Sequence, residues 1–224
     1  MSERSGNFAD DEFSQRHPTS HELMARRLWD DSYRDGPAPW DIGQPQPAIS
    51  RLARDGGFAG AVLDAGCGTG ENALLVASLG LPVLGFDVAE TALAMAREKA
   101  DARGIKAEFV FADALQLESL RRKFKTVLDC GLFHTFNAEE RLKYVESLAA
   151  VTESNGVAYV LCFSDEGPET GPHPISQENL RAAFNPGNGW NIVSIATERI
   201  QTRIHANGAP AWFVTIKRIE SGGQ

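Results

Sequence analysis

Residues Val62 to Gly70 read VLDAGCGTG, an apolar run interrupted by one acid, Asp64, and then by glycines at every second position, Gly66, Gly68 and Gly70. A short apolar run entering such a turn predicts a buried strand that feeds a nucleotide-binding loop. Residues without a Cβ let the backbone approach a ligand and take positive φ, and the following helix presents unpaired N–H groups at its start. Asp64, Gly66, Cys67, Gly68 and Gly70 are therefore candidate cofactor contacts. A nicotinamide dehydrogenase also carries a strand, a glycine turn and a later acid, but with glycines spaced G-x-G-x-x-G.

The pattern continues downstream. A helix over Glu71 to Leu79 stops at Gly80 with Pro82 beyond, and a second strand over Val83 to Phe86 ends in Asp87. In a doubly wound sheet the end of strand two lies beside the first glycine turn, so Asp87 is placed to accept hydrogen bonds from both hydroxyls of a ribose. The competing reading is an N-cap for the helix Ala89 to Arg103, which closes at Gly104. The chain then alternates: a strand at Ala107 to Phe111, a short helix near Leu117 to Lys123, and a strand at Thr126 to Cys130. A helix at Ala138 to Val151 follows, capped by Asn137 with Glu139 and Glu140 in its first turn. Asn155 and Gly156 predict a turn into a strand at Val157 to Phe163, and a helix over Gln177 to Phe184 comes next. Two last strands, Trp190 to Thr197 and Ala211 to Lys217, follow one another without a helical crossover.

The glycine turn with its downstream acid resembles a class I S-adenosylmethionine-dependent methyltransferase. The blocks PWDIGQPQPAI from Pro39, GCGTGENAL from Gly66, DCGLFHTF from Asp129 and LCFSDEGPETGPHPIS from Leu161 look like the thiopurine-methyltransferase-like branch. Within it they are similar to mycobacterial heterocyclic-toxin methyltransferases, which O-methylate hydroxyquinolones. The resemblance covers nearly everything from Trp29 to the last strand. It implies an α/β, Rossmann-like fold: a mostly parallel seven-stranded sheet, helices on both faces and a C-terminal antiparallel hairpin. It also implies S-adenosyl-L-methionine as cofactor, no metal, and a small aromatic heterocycle as acceptor. Asp113 and Ala114 would then lie near the adenine, Val88 and Trp40 against the cofactor, and Cys130 or Gly131 at its methionine end. Asp113 also reads as a turn former.

The donor's methyl group is already activated, so the protein chiefly aligns a nucleophile and excludes water. An acidic hydroxyl arrives ionised, whereas a weaker acid needs a proton acceptor. His134 and then Asp165, which follow strands four and five, are the candidates to orient or deprotonate the acceptor, with His173 as a third. Leu132 and Phe133 are expected against adenine or substrate. Trp29 and Tyr33, one turn apart on a helix from Ser20 to Tyr33, and the rigid stretch around Trp40 are expected to wall the acceptor pocket. Each of these aromatics also reads as a core anchor.

The polar residues 1–18 predict a mobile tail ahead of one domain, residues 19–219, whose first part, about 19–57, forms a helical lid. With 30 acidic against 22 basic side chains, the net charge of −8 opposes a nucleic-acid substrate. No apolar run is long enough to span a bilayer and the N-terminus lacks signal-peptide character, which places the protein in the cytoplasm. Oligomeric state is left open, a monomer being compatible. The three cysteines, Cys67, Cys130 and Cys162, form no C-x-x-C pair and are expected to ring the ligand crevice, unless they are buried fillers. S-methylation of a thiopurine-like acceptor and a non-catalytic cofactor-binding regulator remain the alternatives.

Overall fold

The computed structural model describes residues 16–167 and 173–219. A seven-stranded sheet is built from β1 (Val62–Ala65), β2 (Val83–Asp87), β3 (Glu108–Phe111), β4 (Phe124–Cys130), β5 (Thr152–Phe163), β6 (Trp190–Ile200) and β7 (Ala209–Arg218). The order across it is β3-β2-β1-β4-β5-β7-β6. Strands β1 to β5 run parallel, and β7 is antiparallel to both β5 and β6. Every residue of β1 and β2 is buried, as expected of strands covered on both faces.

Alternation along the strands divides the core in two. One face carries Leu63, Val127, Val160 and Val214 and packs on α6 (Ala138–Val151) and α7 (Gln177–Ala183). The other carries Val62, Leu128 and Leu161 and packs on α3 (Pro47–Arg54), α4 (Glu71–Ser78) and α5 (Glu90–Arg103). After β1 the chain builds outward to β3, then returns to the other side of β1 as β4. The strand order therefore reverses between β1 and β4, the place where such sheets open a crevice at their carboxyl ends.

Several boundaries differ from expectation. The helix over Ser20 to Tyr33 is two helices, α1 (Ser20–Ala25) and α2 (Trp29–Arg34), because Arg26 turns left-handed with φ +49° and closes α1. The break is organised by the buried Glu22 carboxylate, which accepts from Thr19 N at 2.9 Å and Trp29 N at 3.2 Å and so caps both helices. Arg16 grips the same carboxylate with two N–H groups at 2.7 and 2.5 Å. That end of the expected mobile tail is thus tied down, while residues 1–15 lie outside the described residues. The short helix after β3 is a 3₁₀ turn over Ala114–Leu120 broken at Gln116. The expected turn at Asn155 and Gly156 is a bulge inside β5, between the pairs Phe124↔Thr152 and Thr126↔Val157.

Candidate active site

The carboxyl ends of β1, β2, β4 and β5 open onto one cavity, covered by residues of the N-terminal 16–46 and of the β6–β7 connection. Its floor is the glycine loop. Gly66 and Gly68 line the cavity, and both have positive φ, 65° and 51°. A Cβ on Gly68 would stand 2.8 Å from the Tyr33 hydroxyl. Asp87 faces the same space and accepts from Gly68 N at 2.8 Å on one oxygen and from Ala89 N at 2.9 Å on the other. The capping and ligand-facing readings thus coexist: each oxygen keeps a second lone pair for a hydroxyl donor. Burial pushes the Asp87 carboxyl up, against the pull of the Ala89, Gly68 and Val88 N–H groups. Val88, Asp113 and Ala114 continue the lining, and Asp113 accepts from Leu115 N at 2.9 Å, so it also forms the turn.

Two members of the glycine signature serve packing instead. Gly70 does not line the cavity; a Cβ there would lie 2.8 Å from Ala96 Cβ and 2.9 Å from the Phe109 ring, so the close approach of α5 and β3 demands glycine. Asp64 lies in β1 on the α4 side of the sheet, 1% exposed and outside the cavity lining. Burial pushes its carboxyl up to about 7; the Ala73 N–H opposes this, and the nearby charges of Asp129 and Asp87 add to it. Neither residue is placed to touch a ligand directly.

Across the crevice, Cys130, Gly131 and Leu132 line the cavity, whereas Phe133 turns inward, fully buried, 5.5 Å from the Phe184 ring. The expectation that Phe133 meets substrate is therefore corrected. Asp129, unassigned at the sequence level though present in the DCGLFHTF block, shapes this turn by accepting from Leu132 N at 2.9 Å and Phe133 N at 3.2 Å. Tyr144 donates to its other oxygen at 2.9 Å, and burial pushes the Asp129 carboxyl up to about 6. The expected ring of three thiols is also corrected. Cys67 and Cys130 line the cavity, but Cys162 points into the α6 side of the core. Burial pushes all three thiols up, so none is a thiolate near neutral pH.

The opposite wall is aromatic. Trp29 stacks flat on His21 with centroids 4.5 Å apart, and Trp40 meets Trp29 edge-on at 5.4 Å. Trp40 Nε1 donates to the Tyr33 hydroxyl at 2.8 Å, which fixes both rings over Gly68. Four of the chain's five histidines, His21, His134, His173 and His205, line this cavity. His134 is buried 4.4 Å from the Phe163 ring, and its Nδ1 accepts from Phe163 N at 3.4 Å. Burial first, then His173 and His21, hold its pKa down at about 3. The imidazole is thus neutral with its proton on Nε2, a hydrogen-bond donor rather than a base. Asp165 lies outside the cavity lining, exposed, its N–H donating to Ile175 O at 3.2 Å; its assignment as a catalytic group is corrected on that ground. His173 does face the cavity, and its Nε2 lies 2.9 Å from His21 Nδ1.

A strap over residues 39–46 ties these walls together. Thr69 donates to Asp41 at 2.9 Å, and Gln46 exchanges two 2.8 Å hydrogen bonds with the Gln201 backbone. Arg203 N donates to Pro39 O at 2.8 Å. Asp41 and Gln46 lie within the PWDIGQPQPAI block but had no individual role assigned, and Arg16 and His21 carried no signal, because the partners of all four are tertiary contacts.

The family described as Methyltransferase domain matches residues 62–156, from β1 into the bulge of β5. A 2-heptyl-1-hydroxyquinolin-4(1H)-one methyltransferase of Mycobacteroides abscessus is 35% identical over 175 residues, 76% of this chain and 74% of that protein. The chain belongs to the S-adenosylmethionine-dependent methyltransferases. Another relative of this methyltransferase is a probable thiol methyltransferase of Arabidopsis thaliana, 27% identical over 80% of this chain and 82% of that one. A solved structure from work on converting a disulfide bond into a thioacetal group during echinomycin biosynthesis superposes with a TM-score of 0.77. It shares 38% identity and covers 87% of this methyltransferase and 93% of its own chain. The magnesium protoporphyrin IX methyltransferase of Synechocystis with bound S-adenosylmethionine, at 20% identity and TM-score 0.64 over 91% and 99% of the two chains, shares the fold. Among the described residues no helix is long and apolar enough to cross a membrane, and no group of three or more side chains is arranged to hold a metal ion.

Proposed function

We propose that this methyltransferase O-methylates a small hydroxylated aromatic heterocycle of the hydroxyquinolone or phenol type in the cytoplasm, not a nucleic acid. The observation that carries the reading is the acceptor end of the cavity: flat aromatic surfaces from Trp29, Trp40 and Phe163, with one neutral donor, His134 Nε2, set among them. Such a slot accepts a planar apolar ring system and orients one polar edge of it. The hydroxyquinolone named for the Mycobacteroides abscessus relative fits that description.

S-adenosyl-L-methionine fits the other end on this chain's own features, a floor without Cβ atoms at Gly66 and Gly68 and a carboxylate with free lone pairs at Asp87. Asp87 would hold the ribose hydroxyls, Asp113 and Ala114 the adenine, and the backbone around Gly66, Cys67 and Cys130 the methionine end, with Val88 and Trp40 closing over it. Asp64 and Gly70 support that floor from below. When bound, this group supplies a methyl already activated on a sulfonium, so no metal is required. The protein's work is alignment and dryness: Trp40 and Tyr33 cover the floor, Trp29 and Phe163 hold the acceptor ring, and His134 donates to its oxygen or carbonyl edge.

S-methylation is the second reading, favoured by the Arabidopsis thaliana relative. Incubating the protein with methyl-labelled S-adenosylmethionine and a panel of hydroxyquinolones, phenols, aromatic thiols and short oligonucleotides separates them by mass spectrometry. Label on an aromatic oxygen supports the reading, and label only on sulfur or nucleic acid overturns it.

A further inference from the structure

We propose that His21 of α1 and His173, joined ring to ring, act as one proton acceptor for the acceptor's hydroxyl group. The inference rests on the O-methyl transfer argued above and deepens it by assigning the base.

His134, the first candidate, already uses its Nδ1 lone pair on the Phe163 N–H. His21 Nδ1 and His173 Nε2 lie 2.9 Å apart, and both residues line the acceptor end of the cavity. In a neutral imidazole pair joined in this way, one ring nitrogen donates and the other accepts. Whichever tautomer is present, one lone pair is left free at one end of the pair and one N–H at the other. A proton taken by the free lone pair converts the joining contact into a charge-assisted hydrogen bond, so the two rings share the charge. Trp29, parallel to His21 at 4.5 Å, offers a π face to that cation.

The surrounding groups are consistent with this role. Glu22, next to His21 on α1, is held by Arg16 and the Thr19 and Trp29 N–H groups; it raises the His21 pKa, while burial first and then His173 lower it. The cavity is also lined by Arg16, Tyr33, Asp41, Cys67, Glu71, Asp87, Asp113 and Cys130, and by two further imidazoles, the neutral His134 from the turn after β4 and His205 from the β6–β7 connection, whose Nδ1 pairs with Thr202 Oγ1 at 2.7 Å. The net effect holds the His21 pKa below its ordinary value. In the reaction the hydroxyl proton passes to the free imidazole nitrogen and the oxygen keeps the electron pair. That pair forms the new O–C bond as the C–S bond breaks with its electrons left on sulfur, and the positive charge ends on the histidine pair. Because His21 arrives on the N-terminal helix and His173 from the segment between β5 and α7, the base is complete only with α1 docked.

The test uses His21→Gln, His173→Asn and the double variant, asparagine being chosen because His173 has φ +54°. Two readouts are needed. In cofactor-free protein, a nitrophenol titrated by absorbance should bind as its anion at lower pH in the wild type than in any variant. In turnover at neutral pH, each variant should lose roughly 10²-fold on phenols that are neutral in solution and less than about 3-fold on acceptors already ionised. Since the two rings act as one unit, the double variant should lose no more than either single one. Equal losses on both acceptor types, which a packing role would give, or no loss, overturn the assignment. A wild type that binds S-adenosylmethionine but methylates no hydroxylated acceptor overturns the functional reading and the assignment with it.

Discussion

Asp64→Asn tests the electrostatics beneath the glycine loop. The Asp64 carboxylate is 1% exposed, and its Oδ2 has no hydrogen-bond partner among the described residues. Burial, with smaller contributions from Asp129 and Asp87, pushes its pKa from 3.8 up to about 7. A folded-state pKa above the unfolded one means that the folded protein holds the proton more tightly. The associated stability is fully present below the unfolded pKa and is lost as pH rises through 7. A shift of this size corresponds to about 4 kcal/mol lost in total across that window. Asparagine removes the titration, keeps an oxygen for the Ala73 N–H, and introduces an amide donor whose burial without a partner costs about 1–3 kcal/mol. At pH 8 the variant should therefore be more stable by about 1–3 kcal/mol, a Tm higher by roughly 2–10 °C for a chain of this length. At pH 4.5 the wild-type carboxyl is protonated in the fold, and the variant should be equal or less stable. Thermal unfolding followed by circular dichroism at both pH values reads the sign reversal. A variant that is destabilised at pH 8, or shifted equally at both, would refute the account of Asp64 as a strained buried acid.

Three further outcomes follow from other parts of the site. Gly68→Ala places a Cβ 2.8 Å from the Tyr33 hydroxyl in a residue with φ +51°, and should cost about 1–2 kcal/mol in thermal stability. The displaced Tyr33 should release Trp40 Nε1, visible as a change in tryptophan fluorescence. Asp87→Asn should weaken binding of S-adenosylhomocysteine by roughly 10²-fold in calorimetry, because hydrogen bonds to a charged acceptor contribute about 1.5–3 kcal/mol each, while leaving the KM for the acceptor near its wild-type value. Arg16→Gln leaves the Glu22 carboxylate, 1% exposed, without its guanidinium; breaking such a buried pair costs about 3–5 kcal/mol, to be read as a lowered Tm and a raised acceptor KM as α1 loosens.

Much of the sheet and the floor of the site was legible because each part is local. The run Val62–Ala65 and its glycine turn are one strand and one loop, and Asp87 follows on the next strand, so composition and spacing suffice to place them. Strand alternation even contains the answer that was missed for Cys162. Residues 161 and 163 face the α3 side, Phe163 reaches the cavity, and the intervening Cys162 must face the other way. The break between α1 and α2 was not legible, since it depends on one buried carboxylate collecting N–H groups from both sides of the bend. Phe133 and Leu132 are equally apolar neighbours in a tight turn, and the Asp129 hydrogen bonds that decide which one turns inward are a tertiary fact.

The acceptor wall differs in kind from the floor. Its groups come from residue 21 of α1, 40 of the strap, 134 after β4, 163 of β5, and 173 and 205 beyond it, and the contact between His21 and His173 spans 152 positions. No periodicity relates such residues, so each looked like an isolated surface histidine or a core aromatic. The same dispersal has a mechanical consequence. Because the wall hangs on the strap's bonds to Thr69, Gln201 and Arg203, while the floor belongs to the sheet, substitutions along the wall can reshape the acceptor slot with little cost to the fold. Under the proposed function, relatives named for a hydroxyquinolone and for thiols, both aligned over most of this chain, are what such a division would produce: a donor half held by the strands and an acceptor half free to diverge.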